Sequence, residues 1–228
     1  MTIQIIGNGG SIAEVDGTTF RALRTVSKPI EYGVNGHYSR GAITGILTAA
    51  LAANSEIFQF LWSSTTLIAI INRVRISACI STTFGTSGTA NTIALVKYTG
   101  STAIGTGGTS TATGATCKGR TTMASSAVGD FRISTTAALG AGTKTLEANP
   151  LAQITGPFPP SGTNNGQIIA PGTILLESSV VSGMHPLILG PGEGFSITSV
   201  SAPAAGTWTL AVDVMWTELA PVQPLTGY

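Results

Sequence analysis

The stretch that decides the fold reads Thr207-Trp208-Thr209-Leu210-Ala211-Val212-Asp213-Val214-Met215-Trp216-Thr217. Large apolar side chains stand at every second position, and polar or smaller ones stand between them. Successive side chains of a β-strand point to opposite faces of the sheet, so this alternation predicts a strand with one buried face. The members of that face are expected to be Trp208, Leu210, Val212, Val214 and Trp216. Asp213 is expected on the opposite, solvated face.

The same period of two recurs along the chain before this strand. Further strands are predicted at 57–62, 66–80, 92–99, 130–134, 144–148, 173–177, 186–189 and 195–200. Within 66–80 one face is expected to consist of Ile68, Ile70, Val74, Ile76, Ala78 and Ile80, with Asn72 as an exception. Turns rich in glycine and proline separate the strands, as at Gly190-Pro191-Gly192-Glu193-Gly194. Short strands joined by such turns predict an all-β body, a β-sandwich or a jelly-roll-like fold.

Three segments depart from this pattern. Over residues 40–53 the apolar positions recur at helical spacing, which predicts one short helix; they are Ile43, Ile46, Leu47, Ala50 and Leu51. Residues 99–128 are rich in Gly, Thr and Ser, which predicts a long surface loop or an irregular hairpin. Residues 149–166 are rich in proline, so we expect an extended crossover there and not a central strand.

The chain is expected to have three parts: an extended N-terminal arm at 1–36, the body at 37–218 and a C-terminal tail at 219–228. The apolar residues of the arm are Ile3, Ile5, Ile6, Phe20, Leu23 and Val26, separated by glycine-rich joints. Such a segment is too apolar for a solvated tail and too interrupted for a domain. We expect it to reach a second subunit and pair there as an added strand. The alternative is that it folds back onto its own body as an edge strand.

Charged residues make up only 9% of the chain, and the formal net charge is +1. Globular domains usually contain about 25% charged residues. A lone monomer needs a charged surface, whereas a surface covered by neighbouring subunits does not, so the composition favours a protein of an assembly. The absence of a basic run argues against nucleic acid as a partner. The longest apolar stretch, 43–53, is too short to span a membrane, and Cys79 and Cys117 are expected to be free thiols.

No constellation of catalytic or metal-binding residues stands out. Gly114-Ala115-Thr116-Cys117-Lys118-Gly119-Arg120-Thr121 has the spacing of a phosphate-binding loop, but Arg120 replaces the required lysine and no apolar strand precedes it. His37 and His185 lack other ligands at metal-binding spacing. We therefore predict no catalytic residue, no cofactor, no metal and no small-molecule substrate. Trp62, Trp208 and Trp216 are expected in the core, where they could not serve as stacking platforms for sugars.

Several stretches together carry a resemblance that runs across nearly the whole chain. They are 5–10, 13–15, 20–24, Ala49 to Trp62, Gly129-Asp130-Phe131-Arg132-Ile133-Ser134, Glu193-Gly194-Phe195, Gly206-Thr207-Trp208 and Trp216-Thr217-Glu218. In these the chain resembles a widespread family of structural proteins of tailed bacteriophages and prophages, of the type that decorates or cements the head. The family carries no catalytic residues to transfer. The chain departs from it at Phe58-Gln59-Phe60-Leu61-Trp62, where a basic residue is expected before the tryptophan.

The resemblance implies a structural, non-enzymatic subunit of a virion, assembled in the cytoplasm of the host bacterium. Its expected partners are the major capsid protein and further copies of itself. The alternatives are another virion component, such as a tail, baseplate or major capsid protein, and a carbohydrate-binding receptor module. The number of copies in a purified particle distinguishes head proteins from tail proteins.

Overall fold

The computed structural model describes residues 37–48, 51–82, 89–103, 105–111, 117–119, 121–158, 167–178, 186–202 and 206–219, together with the backbone of 15–16 and 22–23. These residues contain fourteen strands and no helix. The strands are β1 (Val15–Asp16), β2 (Ala22–Leu23), β3 (His37–Ile43), β4 (Ser55–Trp62), β5 (Ile68–Thr82), β6 (Thr89–Ala103), β7 (Thr109–Ser110), β8 (Val128–Ile133), β9 (Thr143–Leu146), β10 (Ala152–Phe158), β11 (Gln167–Glu177), β12 (Leu187–Leu189), β13 (Glu193–Ser199) and β14 (Thr207–Leu219). The all-β prediction is confirmed.

Two antiparallel sheets form the body, and they pack face to face as a β-sandwich. The large sheet has the order β10-β6-β13-β4-β8-β7, with β9 also paired to β6. The small sheet has the order β11-β5-β14-β3, with β12 also paired to β5. The strands β1 and β2 pair with each other as a separate two-stranded sheet.

The strand quoted first, β14, lies inside the small sheet between β5 and β3. Its predicted inward face is confirmed, because Trp208, Leu210, Val212, Val214 and Trp216 are all fully buried. Asp213 is exposed on the other face, as expected. The ring of Trp216 meets the ring of Phe60, on β4, edge to face with centroids 5.3 Å apart. This contact joins the centres of the two sheets.

The helix predicted over 40–53 is wrong for the described residues. His37–Ile43 is strand β3, and Leu47 makes an isolated antiparallel bridge to Trp208. The apolar residues do recur at helical spacing, but Ile43 and Ile46 are 64% and 54% exposed while Leu47 is buried. Pairing with β14 satisfies the backbone of this segment, so tertiary structure overrides the local periodicity.

The inward face predicted for 66–80 is correct from Val74 onward and wrong before it. Ala69 and Ile71 are buried there, in place of Ile68 and Ile70. The register between β5 and β14 shifts at this point, because Met215 pairs with Arg73 whereas Trp216 pairs with Ile71. Asn72 is the extra residue of a bulge, and a bulge of one residue exchanges the two faces of a strand.

Two predictions about loops need correction. Residues 152–158 of the proline-rich segment form β10, at the edge of the large sheet, where proline is tolerated. Within 99–128, strand β6 continues to Ala103 and Thr109–Ser110 forms β7. Cys117 in the same segment is fully buried, so the segment is not wholly a surface loop.

Candidate functional site

Most of the residues singled out for the arm lie outside the described residues. Ile3, Ile5, Ile6, Phe20 and Val26 belong to this group. The exception is Leu23, whose backbone pairs with Val15 in the β1–β2 sheet. The proposed inter-subunit role of the arm therefore stays a prediction.

The stretch with phosphate-loop spacing is described at 117–119 and again from Thr121. Lys118 bridges to Tyr38 of β3, and Cys117 is buried. Residues 121–127 form turns and irregular backbone, whereas a phosphate-binding loop opens a helix at this point. This part of the chain therefore has the wrong local structure for that role. His37 begins β3, and His185 and Arg120 lie outside the described residues.

All three tryptophans of the chain are fully buried. Trp62 donates its indole N–H to the carbonyl oxygen of Leu67 at 2.8 Å, and Trp216 donates to Glu218 Oε1 at 3.1 Å. A ring that stacks on a sugar must be accessible. The tryptophans are therefore core residues, as predicted.

Cys79 is exposed and Cys117 is buried, and the two form no disulfide, as predicted. Among the described residues, no three His, Cys, Asp or Glu side chains gather in an arrangement that could hold a metal ion. The same residues contain no helix long and apolar enough to cross a membrane.

A polar cluster is buried on the outer face of the large sheet. We define it as Glu56 and Gln59 of β4, Ser196 of β13, Lys144 of β9 and Tyr98 of β6. Residues directly opposite on paired strands share a face, and Gln59 lies opposite Ser196. The neighbouring pair, Phe60 and Phe195, stacks in the core, so Gln59 and Ser196 point away from it.

A bulge places Glu56 in the same cluster. Phe58 pairs with Ile197 and Glu56 pairs with Thr198, so Ile57 is an extra residue in β4. The bulge turns Glu56 to the side of Gln59, three positions further along. The amide of Gln59 consequently donates to Glu56 Oε2 at 2.8 Å.

One carboxylate oxygen collects the hydrogen bonds of the polar cluster. Besides Gln59, Glu56 Oε2 accepts from Lys144 Nζ at 2.5 Å and from Ser196 Oγ at 2.6 Å. Lys144 Nζ also lies 3.4 Å from Ser196 Oγ and 4.5 Å from the centroid of the Tyr98 ring. The side chains of Lys144 and Glu56 are 3% and 6% exposed. Such a pair is stable inside a protein only when further hydrogen bonds satisfy it, as they do here.

Two segments outside the central strands of the large sheet, around Gly105 and around Leu139, cover the polar cluster. Leu139 donates its backbone N–H to the carbonyl oxygen of Glu56 at 2.8 Å, and Gln59 Nε2 donates to the carbonyl oxygen of Gly140 at 3.1 Å. Gly105 lies against Gln59 Oε1 so closely that a Cβ atom there would collide with it. Segments that follow β6 and β8 therefore form a third layer over this part of the sheet.

Burial shifts the pKa values of two members of the polar cluster. Desolvation lowers the pKa of Lys144, and the hydrogen bond and charge of Glu56 oppose that change. Desolvation also raises the pKa of Tyr98, and the negative charges of Glu56 and Asp130 raise it further. The Tyr98 hydroxyl donates to the carbonyl oxygen of Phe60 at 2.8 Å. Gly194 leaves the room for the Tyr98 ring, because a Cβ atom there would collide with it.

Because the polar cluster is buried, the groups with which its side chains can react belong to the protein itself. A serine beside a lysine is an arrangement found in some hydrolases, where neutral lysine activates the hydroxyl. Here Ser196 is fully buried and directs its hydroxyl to Glu56. No external carbonyl group can approach it in this conformation, so the arrangement is unsuited to hydrolysis of a substrate.

A second carboxylate, that of Glu218 on β14 of the small sheet, is also buried. It accepts hydrogen bonds from the Ser126 hydroxyl, from the backbone N–H of Ala127 at 3.2 Å and from the indole of Trp216. The Tyr38 hydroxyl donates to the nearby carbonyl oxygen of Ala124 at 3.1 Å. Burial, and secondly the charge of Glu218, raise the pKa of Tyr38. These contacts fasten residues 124–127 to the small sheet.

The outer face of the small sheet differs, because it is accessible. Arg73 approaches Glu177 at 3.9 Å and Arg75 approaches Asp213 at 3.8 Å, all on partly exposed side chains. A shallow cavity of about 280 Å³ lies between Arg73, Arg75, Asp213 and Met215. Arg40 also lines this cavity, so the described charged residues at this place are three arginines and two carboxylates, Asp213 and Glu177.

The edge of the small sheet formed by β3 is open along part of its length. Tyr38 bridges to Lys118 at its start, but no described residue pairs with the outer side of β3 from Ser39 to Ile43. The strand pairs with β14 without any register shift and contains no proline. Bulges, prolines and covering segments are the usual protection of a sheet edge, so this edge is suited to accept an added strand.

The comparisons with known proteins give one result. No protein-family model, no curated protein and no solved structure matches this chain. The function therefore has to be argued from the residues and the fold.

The sequence did not indicate the polar cluster. Glu56 and Lys144 are 88 positions apart, and Glu56 and Ser196 are 140 positions apart, so no local motif unites them. One local signal exists, since Glu56 and Gln59 interrupt an otherwise apolar strand. Polar residues in such a strand need partners when buried, but the partners are fixed only by the pairing of the strands.

Proposed function

We propose that the protein is a structural subunit of a tailed-phage virion that decorates or cements the head. In this role it binds the lattice of the major capsid protein and contacts further copies of itself. The observation that carries the proposal is the scarcity of charge in the chain, of which only 9% is charged. A surface that is shared with neighbours does not require the charge that keeps a lone monomer in solution.

Ion pairs in the folded protein further reduce the number of charged side chains without a partner of opposite charge. Five ion pairs join described residues: Arg73–Glu177, Arg75–Asp213, Lys97–Glu193, Arg132–Asp130 and Lys144–Glu56. The last two of these pairs are almost wholly buried. The surface is consequently nearly neutral, which suits contacts made through apolar burial and backbone pairing.

Two further features support the same proposal. The open edge at β3 offers backbone groups to which a neighbour's strand can add. The resemblance of motifs such as Gly129-Asp130-Phe131-Arg132-Ile133-Ser134 and Trp216-Thr217-Glu218 to virion proteins of the decoration type points to the kind of assembly. The two features are independent of each other, since one is geometric and the other lies in the sequence.

The decisive experiment is the copy number of the protein in purified particles. A head-decoration protein is expected at hundreds of copies per particle, in a fixed ratio to the major capsid protein, because it follows the symmetry of the lattice. Quantitative mass spectrometry of gradient-purified particles measures that ratio. A few tens of copies or fewer would assign the protein to the tail or baseplate, and its absence from particles would refute a virion role altogether.

A further inference from the structure

The polar cluster holds a primary amine and a carboxamide against the same carboxylate. Lys144 Nζ and Gln59 Nε2 lie 2.5 Å and 2.8 Å from the same atom, Glu56 Oε2, so the two nitrogen atoms are at most 5.3 Å apart. The side chains of Lys144 and Glu56 are 3% and 6% exposed, and Gln59 is 2% exposed. The three belong to strands that do not pair with each other, β4 and β9. We propose that Lys144 and Gln59 condense into an intramolecular isopeptide bond, with Glu56 transferring the protons.

The reaction balances without any external reagent. Glu56 removes a proton from the Lys144 ammonium group, and the neutral Nζ attacks the Cδ carbon of Gln59. Glu56 returns that proton to Nε2, and the tetrahedral intermediate collapses with cleavage of the Cδ–Nε2 bond. Nζ then gives its second proton to Glu56, which passes it to the departing ammonia, so that nitrogen and proton leave together as ammonium. One amide bond forms, one amide bond breaks and one molecule of ammonia leaves.

The position of Glu56 is the strongest argument for this step. A general base must lie within hydrogen-bonding distance of the proton that it removes, and a general acid must lie equally near the leaving group. Glu56 Oε2 meets both requirements at once, because it contacts the attacking nitrogen and the leaving nitrogen. Ser196 donates to the same oxygen at 2.6 Å and keeps the carboxylate in place.

Burial of the polar cluster meets two further requirements of the proposed reaction. A lysine must lose its proton before it can attack, and desolvation lowers the pKa of Lys144. Water would compete as the nucleophile, but Gln59 is only 2% exposed and Gly105 packs directly against its carbonyl oxygen. Fixing amine and amide side by side in a dry site also removes the entropic cost of bringing them together.

The bond would fasten β9 to β4, a strand of the same large sheet with which it does not pair. β9 has only four residues and pairs with β6, so its attachment depends on few backbone hydrogen bonds. A covalent link from β9 to β4 would enclose residues 60–143 in a loop and restrict the unfolded chain, as a disulfide does. Such a link is independent of the redox state of the compartment.

The test is the mass of the purified full-length protein, measured after denaturation and with allowance for removal of Met1. The expected mass is lower than the sequence mass by one molecule of ammonia. Digestion is expected to yield one branched peptide that joins the segment around Gln59 to the segment around Lys144. A protein with the full sequence mass after prolonged incubation in the folded state would overturn the proposal. A loss of water with a Lys144–Glu56 link would overturn the role of Gln59.

Two variants test the role of each group. Lys144→Arg keeps the positive charge beside Glu56 but removes the nucleophile, so it is expected to show the full sequence mass. Glu56→Gln keeps the shape of the side chain but removes the base, so it is expected to lose the cross-link as well. Lys97→Arg is the matched control, because Lys97 pairs with Glu193 at 3.6 Å away from the polar cluster. The control must retain the loss of ammonia, and a loss of the cross-link there would contradict the assignment.

Discussion

Trp216 makes contacts of three different kinds at the centre of the sandwich. Its ring stacks on Tyr38 with centroids 5.9 Å apart, meets Phe60 edge to face, and its N–H donates to the buried carboxylate of Glu218. Aromatic pairs of this geometry add to the stabilisation that burial alone provides. The residue therefore links the two sheets and orients a buried charge at the same time.

Replacing either of the two β14 tryptophans should strongly destabilise the fold. Trp208→Ala or Trp216→Ala is expected to lower the free energy of unfolding by about 3–5 kcal/mol, because each leaves a large cavity in a fully packed core. Urea unfolding followed by circular dichroism measures the change. Ile43→Ala is the control, since Ile43 is 64% exposed, and its effect should stay within about 0.5 kcal/mol. Equal effects at both kinds of position would contradict the assignment of faces.

Tyr98 makes stability depend on pH in the alkaline range. Its pKa is raised in the folded protein, chiefly by burial, whereas in the unfolded chain a tyrosine ionises near pH 10, about the usual value. Above that pH the unfolded state loses a proton that the folded state retains, so stability falls as the pH rises. Tyr98→Phe removes this contribution and the hydrogen bond to Phe60.

The variant should therefore be less stable than the wild type at pH 7, by about 1 kcal/mol, and should lose less stability between pH 9 and pH 11. Thermal unfolding at a series of pH values measures both differences. Parallel pH profiles for the two proteins would show that Tyr98 ionises equally in both states. Tyr38 remains in the variant, and its raised pKa keeps part of the alkaline loss.

At the scale of the strand, the sequence was informative wherever one face is fully buried. The alternation in 207–217 predicted both the strand and its inward residues. It failed at Asn72, which the alternation showed only as an exception, because a bulge depends on how the partner strand pairs. It also failed in 40–53, where the edge strand β3 ends at the exposed Ile43 and irregular backbone carries the exposed Ile46, so that apolar residues recur at helical spacing without a helix. The polar cluster could not be predicted, because Lys144, Glu56 and Ser196 meet only through strand pairing.

The arm is the element on which attachment is expected to depend. Deleting residues 1–17 should leave the body folded, because the described core is built entirely from residues 37–219. The same deletion should weaken binding to the particle, since it removes the apolar segment around Ile3, Ile5 and Ile6 that we expect to add as a strand to a neighbour. Co-sedimentation of the truncated protein with undecorated heads measures the affinity.

The melting temperature of the truncated monomer separates the two roles considered for the arm. An arm that serves a neighbour leaves the melting temperature unchanged and lowers binding. An arm that folds back onto its own body lowers the melting temperature of the monomer. Unchanged binding together with unchanged stability would exclude both roles.

The two sheets of the molecule differ in how far their outer faces are covered. Part of the outer face of the large sheet is covered by the chain's own segments, which are bonded to Glu56 and Gln59. The outer face of the small sheet stays accessible and carries the exposed Cys79, Asp213 and Ile174. The accessible face of the small sheet is therefore the one that we expect to contact neighbours in the proposed assembly.

The place of β14 has a consequence for the synthesis of the protein. Among the described residues β14 is the last strand in chain order, yet it lies between β5 and β3 and pairs with both along most of their length. Until residues 207–219 leave the ribosome, β5 and β3 lack the strand that lies between them. The apolar face of the small sheet is incomplete for the same time. Strand pairs so distant in sequence form slowly and expose aggregation-prone edges in the meantime. The small sheet therefore cannot be completed until residues 207–219 have left the ribosome.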